Sequence, residues 1–304
     1  MKTSAVHDLL ETEKPGGETV FNDSLARHTS FGTGGPAECL VFLAGDEPLA
    51  RLLPLLNDRE IPWRFLGGGN NVLVANEGVP GVTFRLPARP VRALPGGRLR
   101  AGGGTPLPLL LEAAAEAGLG GLEFAAGIPG TVGGALTMNA GTAEENVGSL
   151  VDRVAARDAT GARFEFPGAE GGFGYRRSRF PENREIVVEA DFALIPADGR
   201  AVREKMSRVR TERSKHFPRG RSAGCFFKNP PGNSAGRLIE AAGLKGKRLG
   251  EAAVSRKHAN FIVTTGHDSE EIRNLGRLVR QEVLMRFGVR LEPEVHFWGW
   301  KKVF

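Results

Sequence analysis

Apolar residues recur at helical spacing in three stretches of the chain. Leu49, Leu52, Leu53 and Leu56 predict a helix capped by Asp46 and shortened or kinked at Pro54. Leu109, Leu110 and Ala113 mark a second, within residues 106–117, which Gly118 ends. The third carries the fullest set of signals. Asp268 or Ser269 is its N-cap, Glu270 and Glu271 stand in its first turn, and Gly288 stops it. Its buried stripe is Ile272, Leu275, Val279, Val283 and Phe287. Alternating or short continuous apolar runs predict strands at 39–43, 61–66, 72–74, 82–84, 186–195, 259–263 and 291–297. Residues 151–156 and 163–166 read as a hairpin around Asp158 and Gly161. The helix expected at 201–216 is basic, with Arg203, Lys205, Arg208, Arg210, Arg213 and Lys215, and reads as a solvated face.

Glycine interrupts this pattern in two places. Residues 66–74, LGGGNNVLV, read as a strand, a glycine turn and a strand. Residues 127–141, GIPGTVGGALTMNAG, hold five glycines and a proline among Ile128, Val132, Leu136 and Met138. Glycine permits positive φ and removes the side chain where another group must come close, so such a backbone can wrap a flat or charged ligand through its N–H groups. For residues 127–141 taken alone, a pair of tight turns between strands is an equal reading. A P-loop would need a Gly-Lys-Ser/Thr ending, and a Rossmann fingerprint a helix opening on the third glycine. Residues 66–74 have neither.

Composition narrows the field modestly. At 304 residues the chain has room for two or three domains, and 40% hydrophobic with 25% charged residues is ordinary for a soluble protein. The 42 glycines are about twice the usual share. A net charge of +6 favours anionic partners without choosing among nucleic acid, phosphorylated metabolites and phosphate-bearing cofactors. No run approaches the roughly 18 apolar residues of a membrane span. Residues 1–20 are polar and read as a loose N-terminal extension. Cys39 and Cys225 form neither a disulfide framework nor a metal-ligand spacing, which fits a reducing cytosol.

Seven segments, at 29–37, 66–74, 127–141, 174–178 (GYRRS), 223–230 (AGCFFKNP), 258–263 (HANFIV) and 291–297 (LEPEVHF), together resemble the UDP-N-acetylenolpyruvoylglucosamine reductase (MurB) family of peptidoglycan synthesis. The resemblance implies an α+β protein with an FAD-binding domain of the vanillyl-alcohol-oxidase (PCMH) type at 21–198, in two α/β lobes of about 21–85 and 86–198. A smaller α/β substrate-binding domain follows at 199–304, and its final strand at 291–298 returns to the active site. The short tail and absence of a long insertion resemble the shorter class of the family. The implied activity is NADPH-dependent reduction of the enolpyruvyl ether of UDP-N-acetylglucosamine through bound FAD, in the cytoplasm, by a monomer or weak oligomer without nucleic acid, metal or membrane insertion. The rival of the same fold is another FAD-dependent oxidoreductase acting on a sugar or alcohol.

Carried over residue by residue, the family pattern puts Gly67, Gly68, Gly69, Asn70 and Asn71 at the cofactor. It adds Gly127, Pro129, Gly130, Thr131, Gly133, Gly134, Asn139 and Gly141. Tyr175, Lys228 and Asn229 fall at substrate positions, and Arg176, Cys225 and Glu294 at catalytic ones. A guanidinium grips a carboxylate with two parallel hydrogen bonds, which suits Arg176 to the substrate carboxylate. Glu294 matches the glutamate that assists there in a protonated or proton-sharing form. Cys225 stands where the family more often has its proton-donating serine. Read without the family, Cys225 is a small buried hydrophobe and Glu294 a surface carboxylate at a strand end. Gly32, Thr33 and Asn70 also depart from the commoner pattern and bear on contact details.

Overall fold

The hairpin expected around Asp158 forms in full: Arg163–Pro167 pairs antiparallel with Val151–Arg157, Arg163 facing Arg157 and Phe166 facing Val154. It opens a five-stranded sheet that continues through Ile186–Ala193, Arg98–Gly102 and Arg92–Leu94. The computed structural model describes residues 5–142 and 144–304, and their contacts divide into two units. Unit 1 comprises residues up to 21, 39–68 and 81–213; unit 2 comprises 22–38, 69–80 and 214–304. Helices and sheets are mixed throughout, as the α+β expectation requires.

In unit 1 the helices Leu107–Glu116 and Val132–Thr137 bury Leu110, Ala114, Val132 and Leu136 with Val154, Phe192 and Met206 in one core. A second core gathers Val41, Val82 and Phe84 from strands with Leu49, Leu52, Leu53 and Leu56 of the helix Leu49–Asp58, which runs through Pro54. Asp46 does not cap that helix with its side chain. It is 2% exposed, and its carboxylate accepts from Arg157 Nε at 2.8 Å. The expected loose extension is also corrected. Ala5–Glu13 is a helix whose Val6, Leu9 and Leu10 lie buried in this core. Three apolar residues at i, i+3 and i+4 are enough to seat one turn-and-a-half on a ready surface, yet too few to stand out in a polar stretch.

Unit 2 is built on the helix Ser269–Phe287, capped by Asp268, whose side chain accepts from Glu270 N at 2.8 Å. Ile272, Leu275, Val279 and Val283 are buried against Phe226, Phe227, Leu238 and Ile262. Phe287, at 41% exposed, falls outside the stripe. A three-stranded antiparallel sheet, Arg248–Leu249, Ala252–Val254 and Ile262–Thr264, completes the core with the helix Ala235–Ala241. The strand expected at 291–297 is regular only over His296–Trp298, which pairs in parallel with Val72–Val74 directly after the first glycine loop.

Candidate active site

Residues 127–141 form more than turns: they contain the helix Val132–Thr137. Thr131 is its N-cap, with Oγ1 accepting from Gly134 N at 3.2 Å, and Val132, Ala135 and Leu136 are its buried face. Gly133 and Gly134, poor helix formers, hide it from a propensity reading. The loop is laced to residues 102–107 by three backbone hydrogen bonds: Val132 N to Thr105 O and Gly133 N to Gly103 O, both 2.8 Å, and Leu107 N to Gly130 O, 2.9 Å. Several glycines therefore answer to neighbouring atoms of the protein itself, backbone or side chain. A Cβ on Gly133 would stand 2.9 Å from Gly103 O, one on Gly67 2.7 Å from Thr131 Oγ1, and one on Gly141 would strike Glu145 O. Gly134 differs. It is exposed, and a Cβ there would meet only Thr131 Oγ1, at 3.4 Å. An open glycine on a laced backbone is a cradle that a flat cofactor fits.

Arg176 sits in the tight turn closed by Gly174 N to Arg177 O at 3.0 Å and Arg177 N to Gly174 O at 3.1 Å. Its φ of +52° is left-handed, a strained value for a residue with a long side chain. Its Nη1 donates to Gly141 O at 2.8 Å, and its guanidinium carbon lies 5.3 Å from the centre of the Tyr175 ring. Asn139, 3% exposed, ties this turn to the glycine loop. Its Nδ2 donates to Gly174 O and its Oδ1 accepts from Gly148 N, both at 2.9 Å. Asn139 thus works as a brace.

Arg213 is a site residue that the sequence conceals, since it belongs to the helix Gly199–His216 read as a solvated face. Most of that face is exposed, as expected, but Arg213 is half-buried and the helix is also tied down: Arg210 reaches Glu112 at 3.0 Å, Lys205 reaches Glu123 at 3.5 Å, and Arg213 Nη2 donates to Phe124 O at 2.9 Å. The aliphatic part of Arg213 lies 3.3 Å from where a Cβ on Gly127 would be. Burial first, and the positive charge of Arg176 second, push the Arg213 guanidinium below its ordinary value. Two guanidiniums in each other's field favour an anion beside them.

Unit 2 brings Cys225 and Glu294 onto neighbouring extended segments, which meet in an isolated bridge between Phe227 and Pro293. Glu294 N donates to Phe226 O at 2.9 Å and Lys228 N to Glu292 O at 2.8 Å. On its other side the Cys225 segment is held by Asn260, whose backbone O accepts from Phe226 N at 2.7 Å. The Asn260 amide also accepts from Phe227 N at 3.0 Å and donates to Phe227 O at 2.7 Å. The thiol and the carboxylate-bearing residue are both half-buried. Asn71, from the first glycine loop, donates through Nδ2 to Glu294 O and accepts at its own O from His296 N, each at 3.0 Å. Gly69, at φ +67°, lets the loop pass His28 O, which a Cβ would strike. Asn229 Oδ1 accepts from Ala235 N at 3.0 Å, so this expected substrate residue also starts the next helix. Arg176 and Tyr175 belong to unit 1, and Cys225, Lys228, Asn229 and Glu294 to unit 2. Among the described residues no His, Cys, Asp and Glu group could hold a metal ion.

Asn260 is 2% exposed, so truncating it orphans two buried backbone groups of Phe227. Asn260→Ala is expected to lower the unfolding free energy by about 2–4 kcal/mol. Urea denaturation checks this, and a change under about 0.5 kcal/mol would show that the pairing contributes nothing.

The laced glycine loop is open at Gly134, and the class is given by residues 37–163, which match the family model described as an FAD binding domain. Residues 215–298 match that of the UDP-N-acetylenolpyruvoylglucosamine reductase C-terminal domain. UDP-N-acetylenolpyruvoylglucosamine reductase 2 of Symbiobacterium thermophilum is 45% identical over 283 residues, 91% of each chain. The Moorella thermoacetica reductase is 40% identical over 284 residues, covering 93% of this chain and 94% of that one. The crystal structure of the Thermus caldophilus enzyme superposes with a TM-score of 0.78 at 40% identity, over 92% of this chain and 98% of that one. The chain belongs to the UDP-N-acetylenolpyruvoylglucosamine reductase family.

Proposed function

We propose that this protein reduces the enolpyruvyl ether of UDP-N-acetylglucosamine to UDP-N-acetylmuramate, with FAD bound and NADPH as the hydride donor. The observation that carries the reading is the backbone hydrogen bonding between residues 226–228 and 292–294 in unit 2. It sets Cys225 one residue from the backbone bond between Phe226 and Glu294, and ties Glu294 to Asn71 of a glycine loop. The two glycine loops would hold FAD, which, reduced by NADPH, would supply the hydride for the terminal carbon of the enolpyruvyl group. Arg176 holds the substrate carboxylate, where negative charge builds, and Glu294 shares a proton there. Arg213 adds positive field to Arg176. Cys225 gives its proton to the carbon next to the carboxylate. Tyr175, Lys228 and Asn229 bind the sugar and diphosphate. Flavin binding within 21–198, substrate covering by 199–304 and the return of 291–298 to the active site belong to the same proposal. So do a cytoplasmic location and a role, through the precursor, in cell shape and division.

The deciding experiment is anaerobic: the flavin is reduced with NADPH, then the enolpyruvyl substrate is added. Reoxidation with formation of UDP-N-acetylmuramate is expected, and flavin that stays reduced would exclude the reading.

Gly134 tests the cradle. Because its Cβ has room in the protein and its φ is not left-handed, Gly134→Val is expected to fold normally and to lose most of its FAD. Gly133→Val confounds packing with binding, since it meets Gly103. Full flavin occupancy in Gly134→Val, read from absorbance after gel filtration, would remove this loop from the cofactor site.

A further inference from the structure

The positive excess of the chain is confined to its last third. Residues 214–304 hold 17 Lys and Arg against 8 Asp and Glu, whereas residues 1–213 hold 24 against 27. Part of that excess surrounds a cavity of about 570 Å³ in unit 2. Arg280, Arg290 and Lys302 supply its cations and Phe297 and Phe304 its aromatic surface, and no Asp or Glu lines it. None of the three cations forms an ion pair among the described residues. Burial, and then the charge of Arg290, push the Arg280 guanidinium below its ordinary value, with Glu292 opposing. Like charges held together in this way are relieved by a bound anion.

The wall formed by the tail is held in place. Arg273 donates through Nε to Val303 O and through Nη2 to Lys302 O, both at 2.9 Å. The rings of Phe297 and Phe304 are 5.3 Å apart at 70°, and the Arg280 guanidinium lies 5.3 Å from the Phe304 ring. Cations without carboxylate partners beside aromatic faces suit a phosphate and a planar ring in one molecule.

The geometry points to a nucleotide-binding site on unit 2, with phosphates on Arg280, Arg290 and Lys302 and the base against Phe297 and Phe304. Cys225, Lys228, Asn229 and Glu294 do not themselves line this cavity, although Pro293 and Val295, on either side of Glu294, do. Its ligand class is a nucleoside di- or triphosphate.

The test is calorimetric titration of the FAD-loaded protein with ADP and, separately, with inorganic pyrophosphate. Arg290→Glu and Lys302→Glu are each expected to weaken ADP by about tenfold or more, because each sets a repelling charge against the phosphates. Arg286→Glu makes the same change of net charge outside the cavity and is expected to shift affinity by less than about threefold. Phe304→Ala should weaken ADP by about tenfold and spare pyrophosphate, which has no ring to stack. Flavin content reports folding in each variant, and turnover of the enolpyruvyl substrate should not change in Arg290→Glu. No measurable ADP binding by the wild type, or equal losses in Arg290→Glu and Arg286→Glu, overturns the site. Equal losses of ADP and pyrophosphate in Phe304→Ala overturn the nucleotide assignment.

Discussion

Cys225→Ala is expected to keep its FAD and to be reduced by NADPH at nearly the wild-type rate, while overall turnover falls by roughly 10²–10⁴-fold, the usual worth of a positioned acid. The expectation rests on how firmly the thiol is placed. The next residue, Phe226, is bonded through both backbone groups, N to Asn260 O and O from Glu294 N. A protonated thiol next to the reacting carbon can act as the general acid. Cys225→Ser should recover much of the loss, since a hydroxyl occupies the same place. Stopped-flow separation of the half-reactions decides the matter. Alanine within a few-fold of wild type would make Cys225 a packing residue, with the proton coming from Glu294 or water.

Arg176→Lys should slow reoxidation by the enolpyruvyl substrate by about 10²–10³-fold, the cost of losing a donor to developing charge. Reduction by NADPH should change far less. Lysine keeps the charge and loses the planar fork. In the wild type one arm of that fork donates to Gly141 O at 2.8 Å, and a single ammonium cannot reproduce the geometry of a planar, two-armed donor. The left-handed backbone at Arg176 is consistent with a side chain aimed at a cost. Equal damage to both half-reactions would make Arg176 a support of the flavin or the fold.

Asp268, Glu270, Glu271 and Gly288 bound the helix Ser269–Phe287 by local hydrogen bonds and helix-dipole charges, and these need no distant partner. The hairpin around Asp158 is local in the same sense: Asp158 Oδ1 accepts from Thr160 N and Ala162 N within the turn itself. For such elements the sequence alone suffices. The glycine loops and the segments holding Arg176, Cys225 and Glu294 were also legible, as motifs in a characteristic order.

Several features depended on residues far apart in the chain and were not legible. Asp46 carries a helix-cap composition, yet it is 111 residues from Arg157, which claims its carboxylate. Arg213 reads as a solvated charge until Phe124 and Arg176 come beside it. Asn260 reads as one polar residue in an apolar run, 33 residues from the Phe227 backbone that it braces. Gly133 and Gly134 are equal in sequence, and only the neighbouring backbone of Gly103 makes one a packing residue and leaves the other open. Sequence determined which segments form and which chemistry they bear. Tertiary structure decided the partner of each polar group, because burial makes an unpaired donor or acceptor costly, and what satisfies it comes from whichever segment the core brings alongside.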